Sequence, residues 1–398
     1  MHSRFIGGLL LIVGTSIGGG MLALPIANAA AGFWPSTLFL CLCWALMTCG
    51  AFFILEANLY LPPKKHMVSM AEATLGPIGL FIAWLSYLFL LYSLLAAYIS
   101  GGSDMLSSLL SQIHISLVPW QSSLLFTLFF GLIVYGGIFW VDYANRLFMF
   151  GKLGVYCLLL ILITPYIKTP QLNQGELPYI SSSIMILITS FGFAIIVPNL
   201  RDYFDDNIPL LKKVIFIGSL IPLFCYIAWD AVIIGALPSA GENGLINLIN
   251  HSHTTSELAR LVESKIQNHT ISYLFNFFTS ICMLTAFLGV ALCLYSFLAD
   301  GLKLRSRGVH GIGLFFLTFA PPLLLVLYYP GAYMHALKYA GICCIILLLL
   351  LPALMCYFGR QKYHSPYWVP GSLYSQWTVI IVATGLIAFE LWNILYAV

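Results

Sequence analysis

Charged positions are rare along this chain, and they punctuate long apolar runs. Residues 5–55 contain none. Fifty-one residues are too many for one membrane crossing of about 20 residues and suit two. The turn between them falls at Ala31-Gly32-Phe33-Trp34-Pro35. The same reading, carried onward, predicts helices near 4–30, 34–61, 76–106, 121–139, 148–167, 179–200, 211–237, 270–300, 309–329, 334–358 and 376–397. The alternating apolar and polar residues of a β-barrel are absent. The pattern therefore predicts an all-α integral membrane protein with eleven transmembrane helices. The first apolar run is too long for a cleavable signal and leads directly into a second helix.

Composition agrees. Of the 398 residues, 61% are apolar and 8% charged, against roughly a quarter charged in a soluble domain. So few charges cannot solvate a soluble protein of this size. An ordinary globular enzyme, a nucleic-acid binder and a disordered chain are excluded, and membrane lipid is the expected surrounding. The ten cysteines lie mostly inside apolar runs (Cys41, Cys43, Cys49, Cys343, Cys344) and read as small packing residues, not as a disulfide framework.

The basic residues fix an orientation. With eleven spans and a cytoplasmic amino terminus, thirteen of the seventeen lysines and arginines fall on the inner side, in loops marked by Arg4, Lys64, Lys65, Arg201, Lys212, Lys213, Lys303, Arg360 and Lys362 among others. Lys168, Arg260 and Lys265 lie outside, and Lys338 lies within a span. This is a positive-inside distribution, and it puts the carboxyl terminus in the periplasm. The largest loop, 238–270, is then external. It holds the capping-box pattern Thr254-Thr255-Ser256-Glu257 followed by Leu258, Leu261, Val262 and Ile266. A short surface helix is expected there, either a lid over an outer entrance or a connector resting on the helix tops.

Spans one and six share an unusual element. The first reads Gly14-Thr15-Ser16-Ile17-Gly18-Gly19-Gly20, then Pro25; the sixth reads Thr189-Ser190-Phe191-Gly192-Phe193, then Pro198. A glycine inside a helix costs about 1 kcal/mol and a proline about 3, so three adjacent glycines at mid-membrane are a poor way to build a plain helix. Discontinuous helices 1 and 6 are expected. Unwound backbone exposes N–H groups that attract a carboxylate and carbonyls that attract a cation. Two such segments in corresponding positions of two halves point to a transporter's central site. The alternative is close helix packing through small residues. The halves match in size: residues 1–168 hold helices 1–5, residues 179–358 hold helices 6–10, and residues 376–398 form an eleventh helix. An odd number of spans per half makes the second half inverted, a 5+5 inverted repeat.

Residues 14–25, Gly-Thr-Ser-Ile-Gly-Gly-Gly-Met-Leu-Ala-Leu-Pro, resemble the first-span signature of the bacterial hydroxy and aromatic amino acid permeases. Ala96-Ala97-Tyr98-Ile99-Ser100-Gly101, Thr189-Ser190-Phe191-Gly192-Phe193 and Phe287-Leu288-Gly289-Val290-Ala291-Leu292 resemble that family's tyrosine-specific branch, and residues 217–222 fit as well. The likeness covers essentially the whole chain. It implies the inverted-repeat fold of the leucine transporter type (LeuT), an inner-membrane location, and import of an aromatic amino acid, tyrosine first, by proton symport. One departure stands out: where the family usually places a histidine after Thr-Ser-Phe-Gly-Phe, this chain has Ala194.

An amino acid zwitterion inside a membrane needs both its charges paired. Its carboxylate is assigned to backbone N–H groups of Gly18, Gly19 and Gly20, with Thr15 and Ser16. Its ammonium is assigned to freed carbonyls of span one and of span six, around Thr189, Ser190 and Gly192. Phe191, Phe193, Tyr92 and Tyr98 are candidates for the wall around an aromatic side chain, although each aromatic alone also reads as packing. Two residues are candidates for ion coupling. Thr285 suits a sodium cage with span-one carbonyls. Lys152 offers an ammonium that stands in for sodium and can exchange a proton; the resemblance also implies a span-five lysine in that place. The alternative for Lys152 is an anchor that snorkels to the headgroups.

Glu56 and Asp104 lie near span ends, which favours solvated or gating roles, while Asp230 and Lys338 lie within spans. Asp142, Asn145 and Arg146 are expected to cluster on an inner loop. Histidine and cysteine spacings offer no metal site, and neither catalytic residue nor cofactor is expected. Rival readings are a sodium-coupled transporter, one selective for tryptophan, phenylalanine or a small neutral amino acid, and more remotely an intramembrane enzyme or a channel. The last two lack, respectively, a catalytic constellation such as H-E-x-x-H and rings of like charge. Oligomeric state is not legible.

Overall fold

The computed structural model describes the backbone of residues 2–241, 244–251, 253–304, 308–329 and 331–396. Within them, the side chains of residues 2, 3, 138, 140, 142, 144–147, 149, 150, 250, 372 and 396 are not described. The expected cluster of Asp142, Asn145 and Arg146 lies outside the described side chains, and its backbone belongs to a helix instead of a loop.

Sixteen α-helices and no strand make up the described residues. In chain order they are α1 (His2–Ser16), α2 (Gly19–Asn28), α3 (Phe33–Asn58), α4 (Met67–Gln112), α5 (Pro119–Tyr135), α6 (Ile138–Ile163), α7 (Thr169–Leu172), α8 (Ile184–Ser190), α9 (Val197–Tyr203), α10 (Ile208–Ala236), α11 (Thr254–Ile266), α12 (His269–Gly301), α13 (Gly308–Tyr328), α14 (Ala332–Ile345), α15 (Leu351–Lys362) and α16 (Ser372–Tyr396). Among the described residues, eight helices are long and apolar enough to cross a membrane. The count is nine when α1 and α2, bent by 53°, form one span. Two shorter apolar helices, Pro119–Tyr135 and Gly151–Tyr166, accompany them.

Local chemistry explains where these helices deviate from plain rods. Within α4, Gly76 takes φ 72° and ψ −158° just before Pro77. Glycine tolerates that backbone and proline offers no N–H, so the ladder restarts at Pro77. Between α14 and α15, residues Ile346–Leu350 form a π-turn just ahead of Pro352. Proline cannot donate to the Leu348 carbonyl, and that oxygen faces α3: a Cβ at Gly50 would sit 2.3 Å from it. Gly50 is thus the place where α3 comes up against the bulge.

The interior is apolar, and two of its buried carboxylates lie toward the ends of α4. Near the start of α4, Glu56 is fully buried. Its carboxylate accepts from Tyr60 Oη (2.7 Å), Arg360 Nε (2.7 Å), Arg360 Nη2 (2.8 Å) and Val369 N (2.6 Å). Near its far end, Asp104 is also buried and accepts from Ser256 Oγ and Thr255 Oγ1 (both 2.7 Å), Ser256 N (2.8 Å) and His253 Nδ1 (3.0 Å). Neither carboxylate is solvated as their sequence positions suggested. Proximity to a span end did not matter because each found enough donors to fill its oxygens.

Asp104 also changes how α11 begins. The helix occupies the expected loop and buries Leu258, Leu261, Val262 and Ile266 as expected. The expected capping box is not formed: Thr254 Oγ1 donates to Leu248 O and His251 O, and Glu257 pairs with Arg260. Asp104, from another helix, supplies the acceptor that the first turn requires. The Asp104 hydrogen bond holds the His253 imidazolium above the usual histidine range.

Candidate functional site

The break between α1 and α2 lies at Ile17 and Gly18, where Gly18 is extended (φ −159°, ψ −147°). In the sixth predicted span, α8 ends at Ser190 and the chain tightens into a 3-10 turn, Gly192–Ile196, before α9. Both interruptions fall on the glycine-bearing stretches, but they differ in kind. The first is a sharp bend. The second is a change of helical pitch inside a segment, Ile184–Tyr203, that still reads as one span. One intervening glycine in place of three accounts for the smaller disruption.

Side chains from other helices satisfy the carbonyls released by the first break. Tyr226 Oη of α10 lies 2.7 Å from Ser16 O and 2.8 Å from Ser190 O, so one hydroxyl joins the two interrupted segments. Lys152 of α6 is buried, and its ammonium donates to Ile17 O at 2.5 Å. Lys152 is therefore turned into the protein at the break and not out toward headgroups. Tyr333 Oη of α14 donates to Gly19 O at 2.5 Å.

The glycines are where neighbours come close. A Cβ on Gly19 would lie 2.6 Å from Tyr98 Cε1 and 3.2 Å from Met283 Sδ, and one on Gly20 would lie 3.4 Å from Ser190 Oγ. Gly18 faces Ala286, and Gly192 faces Cys344. Tyr98, Phe191 and Phe193 are buried, and Phe191 sets its edge against Tyr226 at 5.1 Å. Ala194 is fully buried. Gly18, Gly19, Gly20, Ser190, Tyr98 and Phe191 are thus gathered around the break.

Other candidates are placed elsewhere or are already engaged. The Tyr92 hydroxyl donates to Leu317 O of α13, which turns it away from the glycines. Thr15 is exposed and donates back to Leu11 O. Ser16 and Ser190 donate to Ile12 O and Ile186 O, and Thr189 to Met185 O and Leu337 O. Thr285 donates to Ile281 O and Cys282 O, so its hydroxyl proton points back along α12. The shared cause is the readiness of Ser and Thr hydroxyls to bond a carbonyl three or four residues back. Tyr226 and Tyr333, which do the bridging, went unnoticed in sequence. A tyrosine in an apolar run looks like any packing aromatic until its partner is known. Among the described residues no cluster of metal-ligating side chains occurs.

A family model described as the tryptophan/tyrosine permease family matches residues 1–392. The tyrosine-specific transport system 1 of Haemophilus influenzae is 33% identical over 384 residues, covering 96% of this chain and 94% of that protein. A tryptophan-specific transport protein of Pseudomonas aeruginosa is 30% identical, covering 91% of this chain and 88% of its own. Glutamine transporter 2 of Aliivibrio fischeri is 29% identical over 91% of both chains.

Proposed function

Because this chain belongs to the tryptophan/tyrosine permease family, we propose that it imports an aromatic amino acid, tyrosine foremost, across the bacterial inner membrane by proton symport and alternating access. The single observation that carries the reading is the Tyr226 hydroxyl between Ser16 O and Ser190 O, which brings the two interrupted segments to one point. Backbone N–H groups at the start of α2 take the substrate carboxylate, carbonyls at the break take its ammonium, and Phe191, Phe193 and Tyr98 wall its ring. Gly192 lets α8 and the following turn close over it. Ser16 and Ser190 contribute their carbonyls and not their hydroxyls.

In this reading α5 and α6 also cross the membrane, giving eleven spans arranged as a LeuT-type 5+5 repeat with α16 as the extra helix. The amino terminus is cytoplasmic and the carboxyl terminus periplasmic, as the basic loops indicate. Lys152 acts at Ile17 O, where its ammonium replaces a coupling cation and its proton can leave. Moving one charge through about 100 mV supplies about 2.3 kcal/mol, nearly fiftyfold in concentration at about 1.4 kcal/mol per decade.

Counterflow in proteoliposomes tests the reading. Labelled tyrosine should exchange for unlabelled tyrosine, unchanged chemically, and should accumulate when the outside is made acidic. Flux that fails to saturate, or accumulation that follows a sodium gradient and ignores pH, would overturn it. A second reading, a differently selective amino acid carrier, is favoured by Ala194, a fully buried methyl group where the resemblance implies an imidazole.

A further inference from the structure

Three buried carboxylates invite comparison. Glu56 and Asp104 each accept four hydrogen bonds. Asp230, on α10, is fully buried and accepts a single one, from Asn28 Nδ2 to its Oδ2 at 2.6 Å. Asp230 Oδ1 and Asn28 Oδ1 are buried acceptors with no partner. An ionised carboxylate in that setting is heavily penalised, since one neutral amide cannot replace its hydration. A proton on Oδ1 answers both vacancies at once. The acid becomes neutral and has an O–H to donate, and the amide's oxygen is the acceptor in want of a donor. With that proton the two groups would close a cyclic acid–amide pair, adding Asp230 O–H to Asn28 Oδ1 to the observed Asn28 N–H to Asp230 Oδ2.

The charged residues nearest the pair reach it only by backbone bonds: Glu176 donates its N–H to Ala30 O, beside the end of α2. From α2 comes Asn28. From α6 comes Tyr156, whose hydroxyl donates to Cys225 O and whose ring lies 6.0 Å from Trp229. From α12 come Phe275, stacked on Trp229, and Phe278, tilted against it. On α10 itself the neighbours are Cys225, Tyr226 and Trp229, whose buried Nε1–H has no partner either. Beyond the next turn, Lys168 reaches α10 through its backbone N–H to Gly235 O. The 3-10 segment Leu245–Asn250, packed on α2, carries no charged residue. Among the described residues no cation pairs with Asp230.

We propose that Asp230 and Asn28 form a proton-binding site that fastens the end of α2 to α10, separate from Lys152 at Ile17. The inference rests on the transporter reading above, because α2 begins with the glycines of the substrate cradle and ends at Asn28. Loss of the proton leaves a buried anion that is relieved only by admitting water or parting α2 from α10. Proton occupancy therefore sets the position of α2.

The experiment uses purified protein in proteoliposomes: wild type, Asp230→Asn and Asn28→Ala. Infrared difference spectra between acidic and alkaline buffer should show a protonated-carboxyl C=O band in the wild type, missing in Asp230→Asn and displaced in Asn28→Ala. Counterflow of labelled tyrosine by the wild type should fall toward alkaline pH. In Asp230→Asn, which keeps a permanent N–H where the acid has its O–H, the ratio of acidic to alkaline rates should fall toward unity, leaving only the part that Lys152 contributes. A wild-type spectrum without a carboxyl band that Asp230→Asn removes, or an unchanged pH profile in that variant, would overturn the proposal. If the variants do not insert, carbon-13 aspartate labelling of the wild type still decides, and absence of a labelled protonated band refutes the site. A labelled band together with no tyrosine counterflow by the wild type would keep the proton site and reject the tyrosine reading.

Discussion

The contact between Gly19 and Tyr98 makes Gly19→Ala a sharp test of the candidate cradle. An added methyl would meet Tyr98 Cε1 at 2.6 Å and Cδ1 at 2.8 Å, whereas carbon atoms rest at about 3.5 Å or more. The ring must therefore retreat by about 0.9 Å. It has little room, since Tyr98 is buried and Met283 Sδ lies 3.2 Å from the same methyl. Overpacking of a filled interior costs about 1–3 kcal/mol. The displaced ring must return to its present place to wall the substrate, so that cost falls on binding, and at about 1.4 kcal/mol per decade it predicts tyrosine affinity weaker by about fivefold to a hundredfold. Affinity is measured by titration calorimetry on purified protein, with thermal melting as the check on folding. Tyr98→Leu removes the ring and should recover much of the lost affinity when combined with Gly19→Ala, although it costs affinity alone. Additive losses in the double variant, or an unaltered affinity in Gly19→Ala, would refute the reasoning.

Three further outcomes follow from the buried polar groups. Glu56→Ala strands the Arg360 guanidinium among buried neighbours and should destabilise the protein by about 3–5 kcal/mol, read as a lowered melting temperature in detergent; an unshifted melt would contradict the geometry. Lys152→Ala removes the only described side-chain cation on Ile17 O and should abolish pH-driven tyrosine accumulation while leaving some exchange; full concentrative uptake would dismiss its coupling role. His253 has its folded-state pKa raised, chiefly by its hydrogen bond with Asp104, so its contribution is complete below the unfolded value of 6.5 and is lost as pH rises through the folded one. Hydrogen exchange in α11 should quicken over that window in wild type, and the change should vanish in His253→Ala.

Helix identity was legible because apolar runs of membrane length admit little else, and the interruptions were legible because glycine and proline weaken a helix wherever they stand. The extent of each interruption was not. It depends on what neighbouring helices offer the freed carbonyls, and Tyr226, Lys152 and Tyr333 are distant in sequence from the groups they serve. Lys152 could be singled out because a cation in an apolar run is conspicuous, whereas a tyrosine is not. The same blindness explains Glu56, Asp104 and the start of α11. Sequence shows a carboxylate near a span end, but Arg360 and Ser256 arrive from 304 and 152 residues away. Local rules left out one constraint: the hydroxyl protons of Thr15, Thr189 and Thr285 go to carbonyls of their own helices, so only their oxygen lone pairs remain for a ligand.

The arrangement at the break also predicts which part of a substrate is indispensable. The Tyr226 hydroxyl has one proton and two carbonyl oxygens, Ser16 O and Ser190 O, at hydrogen-bonding distance, so it serves one at a time. The other can accept a hydrogen bond from an ammonium, which brings three donors. At the start of α2 the polarity reverses, and N–H groups await an acceptor. An α-amino acid answers both needs within the span of one Cα, and no half of it answers more than one. Each buried group left unpaired costs about 1–3 kcal/mol, more for a charged one. Tyramine, without the carboxylate, and N-acetyltyrosine, without the ammonium, should therefore compete with labelled tyrosine about tenfold or more weakly than tyrosine itself, at about 1.4 kcal/mol per decade. Changes on the ring should act through Phe191, Phe193 and Tyr98, and leave that backbone requirement untouched. Equal competition by tyramine or N-acetyltyrosine would mean that the unwound segments do not hold the zwitterion, and the carbonyl satisfied by Tyr226 would then be only a structural repair of the break.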